Sequence, residues 1–498
     1  MNRSMIRYIL GWVLNIEALL MMLPALVAVI YREREVFGFL ITIVLCAAVG
    51  LLLVHKKPVS TVFYLKEGCI ATALSWIVMS VFGCLPFLFS GEIPSFTDAL
   101  FETISGFTTT GASILSDVEC LSRSILFWRS FTHWIGGMGV LVFLLAVVPM
   151  SGGSNMNLMR AESPGPSVGK LVPKVGHTAR ILYLIYIVMT IVQIILMLLG
   201  GVSLFDAATL SFGTAGTGGF GVRNDSLASY SPYIQWIVAI FMTLFGVNFN
   251  AYYFILYRKW KKAFEMEEVR FYLLIMLSIT GIIVLDVCHA SLSTGHTVRD
   301  AFFQVSSLMT STGYSSLDYD LWPVTSKILL LLAMFIGACA GSTGGGIKVS
   351  RIMILLKTIK KELNSYMHPK SIRKIKMDGK PVEHEVIRAV NVFFITFMML
   401  LAFSVIMVSF DGQGLVTTFS GVLACLNNIG PGMEMAGPTE NFGSFSILSK
   451  YVLMFDMLAG RLELFPLLLL FHPSAWKEFF TIKKGKKQEK SKRTSFPS

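Results

Sequence analysis

The chain has 498 residues, 54% hydrophobic and only 14% charged, which is more apolar than a water-soluble domain of this length can bury. Its net charge of +12 does not mark a nucleic-acid binder, because no soluble domain carries basic residues interleaved with aromatics. The seven cysteines lie scattered, mostly in apolar runs, and form no CxxC pair, so they read as small core residues.

In chain order, ten apolar stretches occupy 9–31, 37–54, 68–90, 126–150, 181–202, 234–256, 272–288, 328–339, 390–410 and 451–471. Most reach the ~20 residues that span hydrocarbon as a helix. They lack the alternating period of a strand barrel, and lipid leaves exposed peptide groups without water, so helices are expected. The first stretch follows Arg3 and Arg7 and is read as an uncleaved span, since more spans follow at once. With the N-terminus inside and ten crossings, 33 of the 42 Lys and Arg fall on the cytoplasmic side, eight on the far side, and Arg461 inside the last span. That is the positive-inside bias, and it predicts both termini in the cytoplasm.

A repeat of about a hundred residues underlies the pattern. DALFETISGFTTTG ends at Gly111, DAATLSFGTAGTGG at Gly219, DAFFQVSSLMTSTG at Gly313 and TTFSGVLACLNNIG at Gly430. Asp98, Asp206 and Asp300 open the first three segments and Thr417 the fourth, all residue types suited to an N-cap. Each segment predicts a capped helix of about ten residues, too short to span, ending in a glycine turn and followed by another span. The expected fold is an all-α membrane protein with ten transmembrane helices plus four re-entrant pore helices. Its divisions are an N-terminal pair (1–60), four repeats (61–160, 161–265, 266–375 and 376–475) and a basic tail (476–498).

Irregular polar backbone at membrane depth is tolerated where protein shields it or where it lines a watery cavity, so four such turns suggest one shared pore. Glycine admits the φ > 0 conformations that aim carbonyls inward and lets four backbones converge. Carbonyl rings replace the hydration shell of a monovalent cation without fixed charge, and the negative ends of four short helices favour positive charge there. An all-carboxylate ring, as for divalent ions, is missing from these segments.

The turns TTTGAS (108–113), GTGGFG (216–221), TSTGYSS (310–316) and NNIGPG (427–432) resemble the Trk/Ktr/HKT superfamily of potassium transporters. GACAGSTGGGIK (337–348) resembles the TrkH-type branch in particular. The resemblance implies a pseudo-fourfold pore of M1-P-M2 repeats holding potassium between the filter pairs Thr110-Gly111, Gly218-Gly219, Thr312-Gly313 and Ile429-Gly430. In the plant branch, serine at the first filter glycine goes with sodium selectivity; Gly111 here implies potassium. The fourth turn, with Ile429 and Pro431, departs most from the TxG form. The resemblance also implies a homodimer in a prokaryotic inner membrane, served by a cytosolic ring of Rossmann-type nucleotide-binding regulatory subunits. No cofactor is implied.

Gly341, Ser342, Thr343, Gly344, Gly345 and Gly346 interrupt the span that starts at Ile328. From physics alone they read equally as a gate or as a kink at a small-residue helix crossing; the resemblance implies an intramembrane gate. Arg461 is costly inside a span, by ~2.5 kcal/mol or more, which marks a pore-facing barrier or else a local salt bridge to Glu463 or Asp456. Lys348, near the cytoplasmic end, is expected to snorkel, and the Gly341–Lys348 string fails the P-loop spacing because position 347 is Ile. His133 is expected at an interface on the outer side, and Asn224-Asp-Ser226, though a glycosylation sequon, ends the second turn.

The expectation is a potassium uptake subunit and not an enzyme, since no catalytic constellation stands out. The alternative is a sodium- or proton-coupled potassium symporter, for which Asp286 and Asp456 are the candidate relays.

Overall fold

The computed structural model describes residues 2–58, 64–137, 139, 175–290, 296–369 and 374–473; the basic tail and the end of the first repeat lie outside the described residues. Within them, the structure is helical apart from one hairpin, β1 (Lys376–Met377) antiparallel to β2 (Lys380–Pro381).

Helix α1 (Arg3–Leu20) runs through Met21, itself helical in backbone, into α2 (Met22–Tyr31), giving an apolar rod of 29 residues. It stops where Arg32 turns left-handed. Helix α3 (Val36–Val54) returns alongside, with Gly11 and Gly50 at the crossing, where a Cβ on Gly11 would sit 2.8 Å from the Gly50 carbonyl oxygen. Small residues allow this backbone approach where lipid supplies no hydrophobic drive between helices.

Four units follow. The first is α4 (Leu65–Gly83) with α5 (Leu85–Ser90), the short helix α6 (Phe96–Phe107) and α7 (Arg123–Gly137). The second is α8 (Val175–Leu199), the short α9 (Leu204–Gly216), and α10 (Pro232–Phe245) with α11 (Phe249–Leu256); a small helix, α12 (Trp260–Glu265), leads onward. The third is α13 (Glu267–His289), the short α14 (Thr297–Met309), and α15 (Val324–Ile336) leading to α16 (Val349–Met367). The fourth is α17 (His384–Ser409), the short α18 (Leu415–Leu426), and α19 (Ile447–Arg461) with α20 (Phe465–Phe471).

Among the described residues, six helices or joined pairs are long and apolar enough to cross a membrane, and a seventh counts if α10 and α11 form one span bent by 90°. The remaining expected spans are the broken ones. Helix α7 ends its described part at Gly137, α15 stops at Gly337, and α19 stops at Arg461 before α20 resumes. Outward faces are apolar, with Leu52 75% and Leu285 72% exposed, while polar Thr108, Ser306, Thr312 and Asn427 are buried. This arrangement of oily exterior and polar centre suits lipid as solvent.

The short helices begin earlier than the sequence suggests. Ser95 caps α6 by accepting from the Asp98 N–H at 3.4 Å, and Ser203 caps α9 by accepting from the Asp206 N–H at 3.1 Å. Helices α14 and α18 start after His296 and Gly414, neither of which accepts a side-chain capping bond. Asp98, Asp206, Asp300 and Thr417 therefore lie in the first turn and are not the N-caps, and the helices have 12 or 13 residues. A carboxylate in the first turn still complements the positive end of the helix dipole.

Candidate functional site: a ring of four turns and the loop against it

All four short helices end in the same way. The N–H groups of Thr110, Gly218, Thr312 and Ile429 each donate at 2.8 Å to the carbonyl five residues back, on Ser105, Gly213, Ser307 and Ala424. The N–H groups of Thr109, Thr217, Ser311 and Asn428 donate to the carbonyl three residues back at 3.1–3.2 Å. These paired bonds are the Schellman C-terminal motif, which needs its second-to-last residue in the left-handed region. Thr109, Thr217, Ser311 and Asn428 hold that conformation, with φ between 54° and 58°. Asn tolerates it, but for β-branched Thr it stores strain, about 1–3 kcal/mol at such a position. One residue intervenes, and then Gly111, Gly219, Gly313 and Gly430 are left-handed again, with φ of 82°, 79°, 81° and 96°.

The turns close on each other in repeat order. A Cβ on Gly111 would collide with the Gly218 carbonyl oxygen, one on Gly219 with that of Thr312, and one on Gly313 with that of Ile429. A Cβ on Gly430 would sit 2.6 Å from the Thr110 carbonyl oxygen. The eight predicted filter residues thus form one closed ring in which each glycine faces the carbonyl of the next turn. Asn428 ties the fourth turn back to the first, donating to Thr110 Oγ1 at 2.9 Å and to the Met457 carbonyl at 2.8 Å. The ring presents uncharged backbone oxygens at the negative ends of four helices, a setting that attracts a desolvated cation. Among the described residues, no three His, Cys, Asp or Glu side chains gather to hold a metal.

The interrupting loop, 337–348, lies against the face of the ring on which α14 and α18 end. Gly345 N–H donates to Ser311 Oγ, and Gly346 N–H donates to the Asn427 carbonyl at 3.1 Å. A Cβ on Gly344 would sit 2.7 Å from the Thr310 carbonyl oxygen. On its other flank, Cys339 N–H donates to the Gly246 carbonyl at 3.1 Å, and Phe249 N–H donates to the Gly341 carbonyl at 3.0 Å. Buried Glu268 accepts from the Ala340 N–H at 2.6 Å and from Asn248 Nδ2 at 3.1 Å. Ser342, Thr343 and Gly344 are buried with it.

Arg461 reaches from α19 to this loop, donating to the Thr343 carbonyl at 3.0 Å and, at the end of α7, to the carbonyls of Gly136 and, at 2.8 Å, Gly137. Glu463, one of its two expected local partners, pairs with Arg351. Asp456, the other, accepts from Ser404 Oγ at 2.8 Å. Lys348 does not snorkel: it is buried at 2% exposure, and its Nζ donates to the Gly344 carbonyl. Lys348 itself is left-handed in φ, at 83°, as is Gly346 at 81°, where the chain turns back before α16. Asp286 caps α15, accepting from the Ser326 N–H at 3.1 Å and its hydroxyl at 2.6 Å.

The model of the TrkH family, described as cation transport protein, matches residues 35–478. The chain belongs to the TrkH family of cation transport proteins. It is 36% identical over 466 residues to the Trk system potassium uptake protein TrkH of Salmonella typhimurium, covering 92% of this chain and 96% of that one. It is 34% identical over 487 residues to the Trk system potassium uptake protein TrkG of Escherichia coli K12, covering 96% and 100%. In structure it is similar to the potassium transporter TrkH from Vibrio parahaemolyticus, with a TM-score of 0.86 at 31% identity over 96% of this chain and all of that one. TrkH-family proteins are multi-pass membrane transporters and not enzymes.

Two features of this TrkH-family ring escape a reading of the sequence. The left-handed residues are one; the signal available was a small polar residue two places before each glycine. The other is the bracing behind the turns. Glu102, fully buried, accepts from Arg129 Nε at 2.5 Å, from Ser113 Oγ at 3.0 Å and from the Ile114 N–H at 3.0 Å. Arg129 also donates to the Gly221 carbonyl at 3.1 Å and lies 3.8 Å from the Phe220 ring centroid, joining the segments that leave turns one and two. Gln304, at the same place in the third repeat, braces its own turn without charge by donating to the Leu317 carbonyl at 3.4 Å. The signal was a second carboxylate, one turn after Asp98 and nine residues before Gly111, in an otherwise uncharged short helix. His133 is also displaced from expectation: it is fully buried behind the second turn, not at an outer interface.

Proposed function

We propose that this chain takes up potassium across a prokaryotic inner membrane, with both termini cytoplasmic, through a central filter made by the four glycine turns. The filter oxygens come from Thr110-Gly111, Gly218-Gly219, Thr312-Gly313 and Ile429-Gly430, and the four repeats divide as the sequence suggests. The carrying observation is the closed ring, in which every glycine meets the next turn's carbonyl, so that four backbones act as one uncharged site. Kinship with potassium uptake proteins supports potassium as the ion.

In this reading the segment Gly341–Gly346 gates the path, because it is packed against the ring and is rich in residues that change φ and ψ at little steric cost. Arg461 adds a positive barrier beside it. Two such chains form a homodimer, and a cytosolic nucleotide-binding subunit of Rossmann type sets the gate from the basic cytoplasmic side. The test is cation flux into proteoliposomes holding the purified chain, driven by a potassium gradient alone. Potassium flux under that gradient is expected. Flux that appears only when a sodium or proton gradient is added would make the chain a coupled symporter.

A further inference from the structure

The second turn lacks side chains that the first and third have. In turns one and three the places three and one before the glycine are threonines, and their hydroxyls pair at 2.8 Å, Thr108 with Thr110 and Thr310 with Thr312. In turn two the same places are Gly216 and Gly218. The space there is already filled from outside the turn. A Cβ on Gly218 would collide with Nδ1, Cγ and Cε1 of the His133 imidazole, and one on Gly216 would collide with the His133 backbone carbonyl and lie 3.1 Å from its Cβ.

The imidazole has no room to step aside. His133 is fully buried on α7, and its ring centroid is 4.2 Å from that of Phe220, edge to face. Phe220 in turn is held by the Arg129 guanidinium. Neither ring nitrogen has a hydrogen-bond partner among the described residues, and the contacts the ring makes there are steric ones, to Gly218 and Phe220. One turn along α7, Gly136 is pressed against the Phe107 carbonyl, which fixes the helix as closely to turn one as His133 fixes it to turn two.

We propose that His133 is a specificity-determining residue for cation discrimination, supplying from a neighbouring helix the volume that a threonine pair supplies within turns one and three. The width of the second filter turn is then set by a residue that contributes nothing to the filter sequence. This rests on the filter reading above.

The experiment compares four purified variants in proteoliposomes, each checked for a monodisperse elution profile and scored by its potassium-over-sodium flux ratio. Gly218→Thr alone should lose uptake, because its side chain meets the ring. His133→Ala should lower the ratio several-fold, while His133→Phe, which keeps a ring in place, should retain it. Combining His133→Ala with Gly218→Thr should recover about tenfold in uptake over Gly218→Thr alone, a coupling within the range for contacting residues. Gly216 stays unchanged because it faces the His133 backbone, which no side-chain change relieves. A combined variant no better than Gly218→Thr alone, or an unaltered ratio in His133→Ala, overturns the proposal. If Gly111→Ser still changes the ratio in the same assay, the filter reading survives and only the role of His133 is lost.

Discussion

The ring and the loop against it are both rich in glycine and both contain left-handed residues, yet they are held in different ways. In the ring, the same two backbone bonds recur at every turn, and each glycine is wedged against a carbonyl of its neighbour. Shifting one turn disturbs the joints on both of its sides. The loop is held by a mixture: backbone bonds at Cys339, Gly341 and Gly346, and side-chain tethers from Glu268 to Ala340, Ser311 to Gly345, Lys348 to Gly344 and Arg461 to Thr343. Each of those tethers can release alone. A cyclic set of backbone contacts makes a rigid site, whereas an element tied in part by separate side-chain tethers can take more than one position, which suits the proposed filter and the proposed gate respectively.

The contrast is broken most severely at a ring glycine. Gly313→Ala would drive a methyl group into the Ile429 carbonyl at a left-handed position, and potassium uptake by a transport-deficient strain should fall to background with the protein still in the membrane. The loop should respond in the other direction. Deleting residues 341 to 346 is expected to raise flux in proteoliposomes by about an order of magnitude, a shift in population towards the conducting state. No change would make the loop a kink and erase its difference from the ring. Glu268→Ala removes one tether of the several and should give a several-fold rise in the same assay, smaller than that of the deletion.

The smallest effect is expected outside the ring altogether. Asn224 donates to Asp117 Oδ1 at 2.9 Å and accepts from the Val118 N–H at 2.8 Å, clipping together the segments that follow turns one and two. Its amide holds the Asp117 carboxyl below the ordinary carboxylate range. A depressed carboxylate stabilises above its unfolded pKa and loses that contribution as pH falls through the folded value. Asn224→Ala should therefore lower the thermal midpoint slightly at neutral pH, and the gap from wild type should shrink in acid.

Much of this arrangement could be read in the sequence because the repeat writes it four times. The glycines, the short helices and the lone arginine in an apolar span are periodic or anomalous enough to stand out. Handedness could not be read that way. Thr109 and Ser311 are ordinary turn residues by propensity, and only the Schellman bonds require them to be left-handed. The capping residue was misplaced by three positions because Asp-Ala recurs more visibly than Ser95 and Ser203, which do the capping. The 90° bend between α10 and α11 has no proline to announce it; it follows from Gly246 being pressed to Tyr272 and from Asn248 being drawn to Glu268, both long-range contacts. Burial of Lys348 is likewise a tertiary effect, since a lysine at the end of an apolar run ordinarily reaches for water.

The central claim is that the four turns discriminate between cations as one ring. The most direct measurement is the potassium-over-sodium flux ratio of Gly111→Ser against wild type in proteoliposomes of matched protein content. A serine Cβ at Gly111 meets the Gly218 carbonyl across the joint between turns one and two. The ratio should fall by about tenfold or more, equivalent to about 1.4 kcal/mol of lost discrimination. An unchanged ratio in a folded variant would contradict the account.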